Sequence, residues 1–274
     1  MQRLEGETVI VTGATGGIGE AISIRAAQEG GRVMLTGRRE AEGERVVELI
    51  RAAGGQAAFT RADISIEADV QGVVEATAKE FGPPTVLINN AAPTDLVGPG
   101  NQDGRLTDVD TEHLDKILRV GLFGAYWMCY YSIPYMKQAG RGSIVNVSSV
   151  AGVKASPYVF GYAVAKGGLQ ALTRSVAVDY ARYNIRANTI IVGFVISNPL
   201  CEKFAADEAM SAAMRETHIT RFGMPADIAA AAVFLGSSES AFMSGSDLYA
   251  DGGSSVKQAL PGTKAEARQR YQRG

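Results

Sequence analysis

Cysteine is nearly absent from this chain. There are two in 274 residues, Cys129 and Cys201, with no CxxC pair and no Cys/His ligand spacing. That excludes a disulfide-stapled scaffold and argues against a structural metal site, leaving buried free thiols as the expectation. Histidine is as scarce. His113 and His218 stand far apart without ligand spacing, so both are expected on the surface or in loops. Charge of one sign is lacking too: 27 Lys and Arg against 29 Asp and Glu leave −2. Nucleic acid or an anionic membrane would find no electrostatic footprint. The one basic run, Lys264-Ala-Glu-Ala-Arg268-Gln-Arg270, reads as a solvated frayed tail. No apolar run reaches spanning length without polar interruption, and the N-terminus has no apolar signal core. The expected location is therefore cytoplasmic.

What is present is 46% hydrophobic residues and 32 glycines, enough for one sizeable α/β core. Short β-rich runs alternate with helical patterns, which predicts βαβ units and a parallel sheet. The strand candidates are Thr8–Thr12, Arg32–Leu35, Ala57–Arg61, Thr85–Asn89, Gly142–Val147, Arg186–Ile191 and Asp247–Ala250. Helical spacing covers Ile18–Glu29, Ala41–Ala53, Glu67–Phe81, Thr111–Ala139, Gly161–Tyr183 and Pro225–Gly236. No repeat or Pro/Ser-rich linker divides the chain, so one domain over 1–253 with a C-terminal extension over 254–274 is expected. Two irregular stretches, Pro93–Asp110 and Phe194–Thr220, leave the carboxyl ends of strands, where open α/β sheets bind ligands.

The first strand runs into Thr12-Gly13-Ala14-Thr15-Gly16-Gly17-Ile18-Gly19 and then a helix. Glycines allow a sharp turn and close approach of a pyrophosphate, while the helix N-terminus offers free N–H groups. The GxxxGxG spacing is weak alone; its place in the first βα turn favours nucleotide binding.

Further motifs follow in order: Asp63-Ile64, Asn89-Asn90-Ala91-Ala92, Gly142 to Ser149, Tyr162-Ala-Val-Ala-Lys166, Arg221 to Asp227, and Asp251-Gly252-Gly253. With the glycine turn they make the chain, from about Gly6 to Gly253, resemble the short-chain dehydrogenase/reductase family. The resemblance implies a single Rossmann-type doubly wound parallel sheet of about seven strands flanked by helices on both faces. It implies an NAD(P)-dependent oxidoreductase acting on a carbonyl/alcohol pair, and a homo-oligomer, dimer or tetramer. It assigns Ser149, Tyr162 and Lys166 as the catalytic set. The implied cofactor residues are Gly13, Thr15, Gly16, Gly17, Ile18, Gly19, Arg38, Asp63, Ile64, Asn90, Tyr162, Lys166, Val195 and Ser197. Gly37 stands where NAD-preferring relatives carry aspartate, and Arg38 follows, so NADP(H) is favoured over NAD(H).

Chemistry supports those roles. Tyr162 and Lys166 are four apart in a helical segment and share a face. An ammonium nearby is expected to lower the phenol's pKa and make it a usable acid/base. Ser149 ends a strand and can donate to the reacting oxygen. YxxxK alone means little; the preceding Ser-Ser strand and glycine turn give it weight. Val153, Phe194, Val195, Ile196, Leu200 and Phe204 either line a pocket for a bulky alcohol or are ordinary core. Trp127, Tyr126, Tyr130 and Tyr131 are expected to serve core or subunit packing.

Three departures from the family pattern stand out. Gly121 replaces an asparagine that helps hold a proton-relay water. Val192-Gly193 replaces a PG pair, with Ser197 for the following threonine. Pro93–Asp110 is unusually long. On this reading Gly121→Asn preserves or raises turnover, and Gly121→Ala lowers it by straightening the helix. A nucleotide-binding regulator without turnover, and a relative catalysing dehydration, epimerisation or enoyl reduction, are the competing readings.

Overall fold

The computed structural model describes residues 2–97 and 103–257. Its strands are β1 (Thr8–Thr12), β2 (Arg32–Gly37), β3 (Gln56–Arg61), β4 (Val86–Asn89), β5 (Gly142–Ser149), β6 (Ile185–Val192) and β7 (Asp247–Ala250). They form one parallel sheet in the order β3-β2-β1-β4-β5-β6-β7. The strands read as continuous apolar runs because helices cover both faces. Alternation within a run sorts the side chains: Val9 and Val11 join one core, Ile10 the other.

Helices α1 (Gly17–Gln28), α2 (Glu40–Ala52), α3 (Glu67–Phe81) and α4 (Thr111–Leu118) alternate with or follow the early strands. They are succeeded by α5 (Gly124–Ala139), α6 (Phe160–Asp179), α7 (Pro199–Ala206), α8 (Glu208–Thr217) and α9 (Pro225–Gly236). On one face Ile22, Val46 and Ile228, from α1, α2 and α9, pack against Val9 and Leu35. On the other, Val73, Met128 and Val176, from α3, α5 and α6, pack against Ile10 and Ile144. The chain winds outward from β1 to β3, then returns to β4 on the opposite side of β1. The carboxyl ends of β1 and β4 therefore part into a crevice at the switch point.

Three expectations need correction. The helix expected over Thr111–Ala139 is interrupted by one wide π-type turn, Arg119–Phe123, with Gly121 buried at its centre. Phe194–Thr220 is not irregular: it holds α7 and α8. Asn198 caps α7 by accepting from Cys201 N (3.0 Å) with Pro199 at the first position, and Asp207 caps α8 through Met210 N (2.8 Å). The segment expected helical through Tyr183 leaves the α-helix at Asp179. A tight turn, Ala181–Tyr183, and left-handed Asn184 complete it. The basic run Lys264 to Arg270 and most of the 254–274 extension lie outside the described residues, as does the middle of Pro93–Asp110.

Candidate active site

A cleft of about 700 Å³ opens along the switch point. All the residues singled out for catalysis or cofactor contact line it, from Gly13 to Gly19 through Arg38, Asp63, Ile64 and Asn90 to Ser149, Tyr162, Lys166, Val195 and Ser197.

At one end, Gly13 and Gly17 hold positive φ of 64° and 55°, which L side chains rarely adopt. A Cβ on Gly17 would lie 2.6 Å from Ser197 O, so the turn presses against the loop after β6. Asn90 fixes the turn from β4, its Nδ2 donating to Thr12 O (3.0 Å) and Gly13 O (3.2 Å). The bare backbone and the N-terminus of α1 form a cradle that side chains would fill, and it fits a dinucleotide pyrophosphate. Asp63 lies just past β3, its carboxylate accepting from Ser65 N (2.9 Å) and Ser65 Oγ (2.7 Å).

At the end of β2, Arg38 pairs with Asp95 at 2.9 Å, both half exposed. Arg39, which sequence reasoning left unassigned, reaches back over the glycine turn. Its guanidinium donates to Thr15 O (2.9 Å) and Thr15 Oγ1 (3.1 Å). Two cations therefore border the cleft beside Gly37, and no carboxylate ends β2.

At the other end, β5 delivers Ser149 and α6 delivers Tyr162 and Lys166. Ser149 Oγ accepts from Ala151 N at 3.2 Å. Lys166 is only 2% exposed, and its Nζ donates to Val147 O at 2.7 Å while lying 5.7 Å from the Tyr162 ring centre. Burial pushes the ammonium down to about 8. The expectation that Lys166 acidifies Tyr162 is not met. Burial holds the phenol above its ordinary range, a Ser149 hydrogen bond pulls the other way, and nearby Cys201 adds to the rise. The lysine spends its hydrogen bond on the β5 carbonyl, so the desolvation of both groups dominates.

Gly121 touches α6. A Cβ there would fall 2.8 Å from Ala165 Cβ, so the residue serves a close helix contact as well as the wide turn. Of the apolar candidates, Val195 is buried, Val153, Phe194, Ile196 and Phe204 are half-buried, and Leu200 is exposed.

Both histidines are buried; His218 lies in the loop after α8, as expected, whereas His113 is on a helix and off the surface, contrary to expectation. His113 sits on α4 with Nε2 3.0 Å from Leu96 O. His218 Nε2 accepts from Phe194 N (3.4 Å) and its Nδ1 faces Met214 O (2.9 Å), tying α8 to the end of β6. Each replaces lost solvent with backbone partners. Cys129 is buried as expected, but Cys201 is partly exposed on α7. Tyr126 and Tyr130 are exposed on α5 rather than in the core, and Trp127 is half-buried. Among the described residues there is no cluster of metal-ligand side chains and no helix long and apolar enough to cross a membrane.

Comparison with known proteins places this geometry. A family model described as Enoyl-(Acyl carrier protein) reductase matches residues 13–255. The chain is 37% identical over 260 residues to the uncharacterised oxidoreductase YxbG of Bacillus subtilis, covering 92% of each. It is 35% identical to an NADP-dependent (R)-specific alcohol dehydrogenase of Lentilactobacillus kefiri, covering 92% of this chain and 97% of that one. A crystal structure from Burkholderia xenovorans, described as a short-chain dehydrogenase/reductase, superimposes with a TM-score of 0.85 at 32% identity. It covers 94% of this chain and 100% of that one.

Proposed function

The chain belongs to the short-chain dehydrogenase/reductase family and is an NAD(P)-dependent oxidoreductase; from that premise we propose that it interconverts a ketone and a secondary alcohol with NADP(H). The observation that carries the reading is that Ser149, Tyr162 and Lys166 share one cleft with the glycine turn. The nicotinamide, when bound, supplies or accepts the hydride. Gly13 to Gly19, Asn90, Asp63 and Ser197 would hold the dinucleotide. Tyr162 gives the proton to the carbonyl oxygen in reduction and takes it back in oxidation. Ser149 Oγ donates to the same oxygen and polarises it. The Lys166 ammonium, 5.7 Å from the phenol ring centre, would offset part of the charge left when the proton departs, although burial outweighs it in setting the phenol's titration. Burial raises the Tyr162 phenol above its ordinary range, so at neutral pH it carries the proton, as an ordinary phenol does, and can act as the acid in carbonyl reduction. This arrangement of an acid and a polarising hydroxyl on one oxygen fits ketone chemistry better than enoyl reduction.

The preference for NADP(H) rests on the bare end of β2. A 2′-phosphate there meets Arg38 and Arg39, and no carboxylate ends β2 itself, the nearest acid on Arg38 being its Asp95 partner. The Arg38–Asp95 pair is half exposed and worth little, so a phosphate can displace it. The L. kefiri relative, named as NADP-dependent, is consistent with this. Exposed Tyr126 and Tyr130 on α5 fit a contact between copies of the chain, and the proposed state is a homo-oligomer.

The test is loss of NADPH or NADH absorbance with a panel of ketones. NADPH should give the higher kcat/KM, and equal or better efficiency with NADH would reject the preference. Gly37→Asp should shift preference toward NADH. A Cβ at Gly37 meets Thr15 Cγ2 at 2.8 Å, so the clean variant pairs it with Thr15→Ser. Tyr162→Phe should cut turnover by about 100-fold or more with cofactor binding nearly unchanged. Near-normal turnover in that variant would show that the proton travels another way.

A further inference from the structure

Helix α6, which carries Tyr162 and Lys166, begins without a local cap: Val159 precedes it and offers no side-chain acceptor. An uncapped helix leaves its first N–H groups without partners. Here Ala163 N reaches Val159 O (2.9 Å), and the three preceding donors are met from a segment almost sixty residues upstream. Phe160 N donates to Gly104 O (3.3 Å), Gly161 N to Asp103 Oδ1 (2.8 Å) and Tyr162 N to Asp103 Oδ2 (3.1 Å). Arg105 continues the contact, donating to Tyr158 Oη at 3.3 Å with its guanidinium 5.4 Å from that ring centre. Tyr158 holds a φ of 62°, unusual for a non-glycine residue, so the approach to α6 is itself strained and held from outside.

Asp103 is 4% exposed. Burying a carboxylate is costly unless charge-assisted hydrogen bonds and a favourable field replace water. Both are present: each oxygen accepts a backbone N–H, and the positive end of the α6 dipole faces the charge. One of those N–H groups belongs to Tyr162 itself. We propose that Asp103 is a positioning residue for the reaction: it sets the first turn of α6, and through it the place of the Tyr162 hydroxyl relative to Ser149. Asp103 and Gly104 thereby act as an external cap on the helix that carries the acid. The inference rests on the catalytic reading of Tyr162, because Asp103 acts on the reaction only through that residue.

The experiment uses Asp103→Ala and Asp103→Asn in the full chain, each alone and combined with Tyr162→Phe. Displacing a reacting group by about 1 Å costs on the order of 100-fold. Asp103→Ala should therefore lower kcat by about 10- to 100-fold, with KM for ketone and NADPH within about 3-fold. Asp103→Asn keeps one carbonyl acceptor and should recover part of the loss. In the Tyr162→Phe background Asp103→Ala should cost almost nothing further, since the two act as one unit. Hydrogen exchange of the peptide spanning 158–166 should quicken in Asp103→Ala while peptides from the sheet stay protected. Unchanged kcat with unchanged exchange would overturn the proposal, as would an undiminished loss in the Tyr162→Phe background, which marks a general structural role. Wild-type protein without turnover on either cofactor would instead overturn the catalytic reading on which the proposal rests. The exchange data would still report whether Asp103 caps α6.

Discussion

Lys166 keeps a charged group where water cannot reach it, with its ammonium pushed down to about 8 from an ordinary 10.5. Between those values the unfolded chain binds a proton that the folded chain does not, so this residue makes stability rise with pH from about 8 to 10.5 and detracts from it below. Lys166→Met should abolish turnover while leaving the melting temperature at pH 7 equal to or above that of wild type. The wild type should then gain on the variant as pH rises through about 8. A wild type that is clearly the more stable at pH 7 and loses ground above pH 8 would contradict this account. The same residue bounds activity: carbonyl reduction should decline as pH passes about 8 and the ammonium is lost. Residue identities at the site were legible in the chain because motif spacing carried them. Arg39 was not, because a long guanidinium at the end of β2 can swing either way until Thr15 is seen beside it. Asp103 was not either, because its partners lie in α6 and nothing local marks a buried acceptor.

The turn between α4 and α5 shows how one element disciplines another. Its widened backbone accommodates an extra residue and brings Gly121 against Ala165, one position before Lys166. A methyl at Gly121 has no room unless α6 shifts, so Gly121→Ala should destabilise by about 1–3 kcal/mol and lower turnover. The expectation that Gly121→Asn alone preserves activity loses its footing for the same reason. Paired with Ala165→Gly the asparagine has space, and melting temperature and kcat of the single and double variants separate packing from proton relay. Rescue of stability without rescue of turnover would show that an asparagine at this position does not serve the relay. Elements with long apolar periodicity, β1 to β7 and α1, α2, α3 and α9, were legible from the chain. The break before α5 was not, because a π-type turn keeps the apolar pattern nearly intact. Helices α7 and α8 were missed although Asn198-Pro199 and Asp207 carry start signals. Their apolar residues, unlike those of the long helices, are mostly half-buried or exposed, Leu200 and Met210 among the exposed ones, so the pattern carries no strong apolar face.

At the scale of the molecule, the doubly wound order was legible because alternating β and α patterns leave few ways to cover both faces. What the pattern does not reveal is how the chain's start is fastened. Glu29, at the end of α1, accepts from Arg3 at 2.8 Å and pairs with Arg25 at 2.9 Å, and Arg3 reaches Glu239 at 3.5 Å. Chiefly through its Arg3 hydrogen bond, the Glu29 carboxyl is held down to about 2 from an ordinary 4.5. A depressed carboxyl stabilises the fold fully above about 4.5 and loses that contribution as pH falls toward 2. Glu29→Gln should cost about 2 kcal/mol at neutral pH. The gap in melting temperature from wild type should close on acidification below pH 4.5, and a gap that stays constant with pH would refute the assignment.

Helices α1 and α9 lie against each other over the same sheet face, yet one is made near the start of the chain and the other near its end. Ile22 and Ala26, fully covered in the finished protein, wait for Ile228, Ala229 and Ala232. A ribosome adding about 5–20 residues per second needs roughly 10–40 s to make the intervening chain. During that interval the nucleotide-binding half exists as a nascent α/β layer with one apolar flank bare, open to chaperones and to its neighbours on the same message. A chain released after residue 223 would never leave that condition. For this protein α9, which lines no part of the catalytic cleft, decides whether α1 stays in solution.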